Sequence, residues 1–372
     1  MTYQEFKDYM VDNIKTYLPE KYQDAQVEIS EVEKNNGLKL DGLAVRLPEQ
    51  NMCPNIYLNQ FYQDYEAGRD VEDILQNIAE IREMNDVSKK VEVEQLLGYD
   101  NIKDSIIFRV IGAKQNEGRL QNMPHRIEKD MALIYQALVQ TTEDRLVTAQ
   151  ITNDMMDRLG VNENTLHEIA MINTQREFPM SFQPMEEVLK SVLRKDFMGI
   201  NLDELSDDDD TKEFLETLFQ EGMEEMKENE APLYVLSNEQ KMNGAAVLFY
   251  PEVQEEIAKQ MGGDYFVLPS SIHEVLILRD DGTGDYQELK DLVNDVNETQ
   301  VEPEEVLTGE VYCYDQESKQ LMFASEKAER SQAVEKSEEK PSIMDTLKAK
   351  KEEAMQSISA PMGKMKAAEM EI

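Results

Sequence analysis

Residues 233–280 read LYVLSNEQKMNGAAVLFYPEVQEEIAKQMGGDYFVLPSSIHEVLILRD, and their reading decides the fold. LYVLSN, GAAVLFYP, YFVL and EVLIL are short apolar runs bounded by polar, Gly or Pro residues, a pattern that predicts strands. Between the second and third runs, EVQEEIAKQM has the spacing of an amphipathic helix, and Gly262-Gly263 supplies its C-terminal stop. No other stretch of the chain holds so much core-forming material in so few residues.

Working outward from it toward the N-terminus, residues 3–17 place Phe6, Met10, Ile14 and Tyr17 on one helical stripe, with Thr2 as cap and Pro19 as stop. VEISEVEKNNGLKLDGLAVRL alternates on both sides of Asn35-Asn36-Gly37, a hairpin signal. NIYLN and two helical stretches around Gly68 complete an N-terminal α-β-β-α lobe, residues 1–86. Ile106 to Ile111 reads as a strand, and LVTAQITN (146–153) as another. ALIYQALVQ (132–140) fits strand or helix, because continuous apolarity does not separate the two. NENTLHEIAMINTQR predicts a helix buried through Leu166, Ile169, Ala170 and Ile172. Asn59, Asn153 and Asn238 each end an apolar run, and helix capping is the ordinary reason for Asn there. Toward the C-terminus, YQELKDLVNDVNETQ predicts a helix with Leu289, Leu292, Val293 and Val296 on one face. VYCYD and LMFA predict a closing hairpin.

The fold class expected is α+β. A mixed or antiparallel central sheet, built from 106–111, 146–152, 233–237, 245–250, 265–268 and 274–278 with helices packed on it, occupies a central domain, 87–325. Residues 326–372 read as a flexible charged tail, disordered over 326–341 and then helical in part.

Charge excludes several functions. The 372 residues carry a formal net charge of −39, which repels nucleic acid phosphates and anionic membrane surfaces alike. The tail holds nine basic and ten acidic residues, so −38 of that charge belongs to the first 325 residues. A basic protein partner, or imitation of a nucleic acid's charge, are the functional readings; simple solubility is the ordinary one. Cys53 and Cys313 stand far apart and make neither a disulfide framework nor a zinc motif, which suits a reducing compartment. With no signal-peptide pattern and no run of 18 apolar residues, a cytoplasmic location is expected.

Candidate chemistry is sparse. Of the three histidines, His125, His167 and His273, the last two sit in His-Glu pairs without the second His that a zinc-binding helix requires. Ser270, Ser271, His273 and Glu274 supply the residue types of a nucleophile, base and acid within the Pro269–Glu274 loop. Neighbours along a strand face opposite ways, however, so His273 and Glu274 do not simply serve one nucleophile. The acidic run LDELSDDDD (202–210) lacks the ligand spacing of a calcium loop. No phosphate-cradling glycine motif is present, so no cofactor and no metal are expected.

The segments VLSNEQKMNGAAVLFYP, FVLPSSIHEVLIL and VEPEEVLTGEVYCYD, with IYLN and the ITN-to-helix join, resemble an uncharacterised bacterial family classed as a domain of unknown function. That resemblance spans about residues 1–325 and implies an α+β body with a variable charged tail. The order LVTAQITN, HEIAMIN, LYVLSN, FVLPSSIHEVLIL is also similar to the core of a second uncharacterised bacterial family. Neither brings an activity, so the expected role is a non-enzymatic protein-interaction or regulatory module. The alternative is a hydrolase or small-ligand-binding enzyme using Pro269–Glu274.

Overall fold

The computed structural model describes residues 1–48, 53–85, 99–142, 145–188, 191, 232–269, 271–282 and 284–332. Among these residues the strands form three sheets, of three, six and four strands, and helices pack on them, an α+β architecture. The acidic run 202–210 and the tail beyond Gln332 lie outside the described residues. The described residues divide into two compact units: Met1–Ile127 with Ala132–Thr174, and Glu128–Met131 with the described residues of 175–332.

In the first unit the N-terminal elements follow the sequence pattern closely. Helix α1 (Tyr3–Tyr17) opens with a complete capping box, in which Thr2 accepts from the Glu5 N–H and Glu5 accepts from the Thr2 N–H. Such a cap stabilises a helix by about 1 kcal/mol. β1 (Gln26–Glu33) and β2 (Lys39–Arg46) pair antiparallel in full register, and β3 (Asn55–Tyr57) adds to β2. Asn36 and Gly37 take positive φ, as the turn requires. α2 (Leu58–Glu66) and α3 (Val71–Met84) close the core over Phe6, Met10, Ile14, Leu43, Ile74 and Ile78. Arg82 is fully buried there, donating to the Val45 carbonyl at 2.9 Å and to the Tyr22 hydroxyl at 3.2 Å.

The same unit holds the four-stranded sheet, ordered β4 (Ile106–Gly112), β6 (Met131–Thr142), β5 (His125–Glu128), with β7 (Arg145–Gln150) on β6. ALIYQALVQ is therefore strand. Helix α4 (Asn153–Leu159) ends on Gly160 in the left-handed region, and α5 (Glu163–Glu177) follows. The buried face of α5 is Leu166, Ala170, Asn173 and Thr174, whereas Ile172 is 67% exposed, opposite to the expectation. Backbone pairing is the reason. β4 ends the sheet order, and Thr174 Oγ1 accepts from the Phe108 N–H at 3.0 Å, while Asn173 donates to the Lys103 and Ile106 carbonyls at 2.7 and 2.9 Å. Unpaired groups of an edge strand need such partners once buried.

The second unit is organised by residues 233–280. Its six-stranded sheet runs β13 (Gln320–Phe323), β12 (Tyr312–Asp315), β10 (Tyr265–Leu268), β11 (Val275–Arg279), β9 (Leu233–Asn238), β8 (Met180–Pro184), and every neighbouring pair is antiparallel. Thus the strands expected in one sheet divide between two: 106–111 and 146–152 in the four-stranded sheet, and 233–237, 265–268 and 274–278 here. GAAVLF is not a strand. Gly244–Phe249 winds as a 3₁₀ segment, entered through Asn243 at φ 51°, and its apolar residues are buried. Continuous burial, rather than strand pairing, explains the unbroken apolar run. α6 (Val253–Met261) follows, and the Tyr265 hydroxyl donates to the Gln254 carbonyl at 3.1 Å. Against Phe266, Leu268, Leu278 and Cys313 pack Leu289 and Val293 of α7 (Tyr286–Thr299) and Ala324 of α8 (Ala324–Gln332). Residues 326–332, expected to be disordered, are therefore helical. Asp130 joins this unit by accepting from the Tyr312 and Thr308 hydroxyls.

Candidate functional site

The loop between β10 and β11 carries the residues singled out in the sequence. Ser271 is buried, and its hydroxyl accepts from the His273 N–H at 3.0 Å rather than meeting the imidazole. The His273 carbonyl accepts from the Ser237 hydroxyl at 2.7 Å, and its Nδ1 accepts from the Asn243 N–H at 3.1 Å. An Nδ1 that accepts leaves the ring proton on Nε2, which faces Glu305 Oε1 at 3.6 Å. The Ile272 N–H donates to the Glu305 carbonyl at 2.8 Å, and the Ala245 N–H to the Ile272 carbonyl at 3.1 Å. The loop thus ties β9, the 3₁₀ segment and the 302–305 turn together. Ser270 lies outside the described residues.

Gly244 permits this knot. A Cβ there would overlap Ser237 Oγ and the His273 carbonyl and would stand 2.8 Å from the Asn238 nitrogen. The Asn238 side chain closes the 238–242 turn, donating to the Met242 carbonyl at 2.7 Å and accepting from its N–H at 3.2 Å. None of the three noted Asn residues is an N-cap. Asn59 accepts from the Asp41 N–H, Asn153 donates to the Gln121 carbonyl, and Thr152 caps α4. Glu274 is half-buried, and burial pushes its carboxyl above the ordinary range; His273 and Lys241 oppose that shift, and Glu305 adds to it.

A second cluster, unread in the sequence, lies around Cys313. Lys327 of α8 donates to Asp264 at 2.5 Å and Asp280 at 2.7 Å, and its Nζ stands 3.5 Å from the Cys313 sulfur. Burial works against the ammonium, but the two carboxylates more than offset it and hold Lys327 firmly charged. Cys313 is wholly buried, and burial pushes its thiol up to about 12, with Lys327 opposing. The signal was thin: three charged residues spread over 63 positions give no motif.

Among the remaining histidines, His167 meets the buried Tyr135 hydroxyl through Nδ1 at 3.2 Å. Desolvation, then the nearby Arg126, lowers its affinity for a second proton. His125 Nδ1 lies 2.9 Å from the Met123 carbonyl. Among the described residues no helix is long and apolar enough to cross a membrane.

An α+β protein with an all-antiparallel six-stranded sheet and a polar knot at its β10–β11 loop is the class these observations define. The chain belongs to DUF5688, a family of unknown function, whose model matches residues 3–316. The resemblance carried by PSSIHE and its companion segments is thereby borne out at the level of family. No match is found among curated proteins. None is found among solved structures.

Proposed function

We propose that this chain is a non-enzymatic protein-interaction or regulatory module of the bacterial cytoplasm whose acidic surface meets a basic protein. The observation that carries the reading is the −38 charge on the first 325 residues, which attracts cations and repels polyanions. Helix α7 supports it further: Glu288, Asp291, Asp295 and Glu298 recur at three- and four-residue spacing, and its one basic residue, Lys290, is tied to Glu310 at 2.7 Å. The Ser271 hydroxyl and the His273 ring, the best candidates for chemistry, both hold main-chain groups in place. Calorimetric titration with a lysine- and arginine-rich peptide tests the proposal. Binding at about 50 mM salt that weakens severalfold at about 300 mM, and weakens again in the triple variant E288Q/D291N/E298Q, supports it. Binding that ignores both salt and the variant overturns it.

One observation favours a second reading, a hydrolase or small-ligand-binding enzyme at Pro269–Glu274. Burial pushes Glu274 toward its protonated form in the same loop as the His273 imidazole, and carboxyls so perturbed are common in acid–base sites. A panel of ester, phosphoester and amide substrates, assayed with the wild type and with His273→Ala, decides it. Turnover that the substitution leaves unchanged removes this reading.

A further inference from the structure

The Lys327–Cys313 contact is the most unusual polar feature of the fold. A wholly buried thiol is common and inert. Here, however, the thiol is met by a lysine nitrogen 3.5 Å from sulfur, from a helix that begins directly after the last strand. Asp264 and Asp280 fix the nitrogen from two sides, and Asp280 Oδ2 lies 3.8 Å from the same sulfur, positioned to receive the ammonium proton. An amine that becomes nucleophilic once its extra proton is passed on, an oxidisable sulfur and a carboxylate placed to take that proton therefore converge on one point.

The geometry points to a peroxide-driven covalent cross-link between Cys313 and Lys327, an oxidative modification site that staples α8 to β12. In the first step hydrogen peroxide transfers one oxygen to sulfur: Cys–SH and H₂O₂ give Cys–SOH and water, sulfur losing two electrons and the O–O bond being reduced. In the second, Lys327 passes its extra proton to Asp280, and the neutral amine attacks sulfur. The S–N bond forms, the S–OH bond breaks, and the departing hydroxide combines with an amine proton as water. The product is a sulfenamide, and a thiol reductant returns both side chains by supplying two electrons. At rest the protonated, covered thiol is a poor nucleophile, so the reaction waits on α8 lifting. Lifting admits the oxidant, and reclosure brings the nitrogen onto the sulfenic acid.

Peptide mapping of the full chain after hydrogen peroxide treatment tests this. Trypsin cuts after Lys319, between the two residues, so the cross-link appears as one species joining 291–319 to 320–330. Its mass is about 2 Da below the sum of the two peptides, as loss of two hydrogens requires. The expected result is that this species forms with peroxide, vanishes with dithiothreitol, and is absent in Lys327→Arg, which keeps the charge but not the nucleophilic amine. Oxidation of Cys313 to sulfinic or sulfonic acid in the wild type without the linked species overturns the proposal. So does an unmodified Cys313 under conditions that fully oxidise Cys53, or a linked species that survives in Lys327→Arg.

Discussion

The six-stranded sheet carries two polar nodes, and they are held together by different means. At the His273 loop, neutral side chains bond to main-chain groups: Ser237 to the His273 carbonyl, His273 to the Asn243 N–H, Asn238 to both ends of Met242. At Cys313, charged side chains bond to one another, with Lys327 between Asp264 and Asp280. The first arrangement satisfies half-buried backbone groups of tight turns, and it depends on shape. The second depends on charge, so salt, pH and modification all act on it. One sheet thus has a fixed corner and a conditional one.

The sharpest way to break the comparison is Gly244→Ala. The added methyl overlaps two oxygens of the knot, and we expect a loss of about 3 kcal/mol or more, since overpacking and a broken buried network act together. A denaturant midpoint within error of the wild type would show that the loop yields. Next is Lys327→Met, which leaves Asp280 and Asp264 facing each other. Partial exposure discounts the full cost of breaking a buried pair, to about 2 kcal/mol, and the loss should shrink at high salt. Urea titration at two ionic strengths measures it; a loss that salt leaves unaltered would contradict a charge-held node.

A smaller effect belongs to Ser237→Ala, which removes one neutral hydrogen bond from a half-buried carbonyl and should cost about 1 kcal/mol at any ionic strength. Salt dependence there would erase the distinction between the nodes. The smallest expected change is at Glu274→Gln. A carboxyl raised by burial binds its proton more readily folded than unfolded, so its contribution is present at low pH and lost as pH rises through the raised value. The glutamine stays neutral, so the variant should gain stability at neutral pH and match the wild type near pH 4. Denaturant midpoints at the two pH values check it, and a neutral-pH loss would show that Lys241 and His273 dominate instead.

Much of the fold was legible because it rests on local periodicity. The stripe of α1, the NNG hairpin and the strands of 233–280 each repeat at the period of the element they form. What failed to be legible depends on pairing across distance. GAAVLF and a buried strand have the same apolar signature, and only the approach of Gly244 to Ser237 and His273 separates them. Asn173 and Thr174 look like a solvated helix face, yet they serve β4, some 65 residues away. At the candidate site, Ser271 and His273 were found from residue type alone, but their roles were not. Glu305 and Asn243 reach the imidazole from about thirty residues to either side. Lys327 was assigned to the tail by composition, which cannot see Asp264 and Asp280 converging on it.

Among the described residues β8 stands at one end of the six-stranded order, and its last residue, Pro184, lies opposite Tyr234 in the register. Proline carries no N–H, so a further strand laid along that rim would find the ladder broken where β8 ends. The sheet is thereby guarded at this rim against edge-to-edge joining of one copy with another.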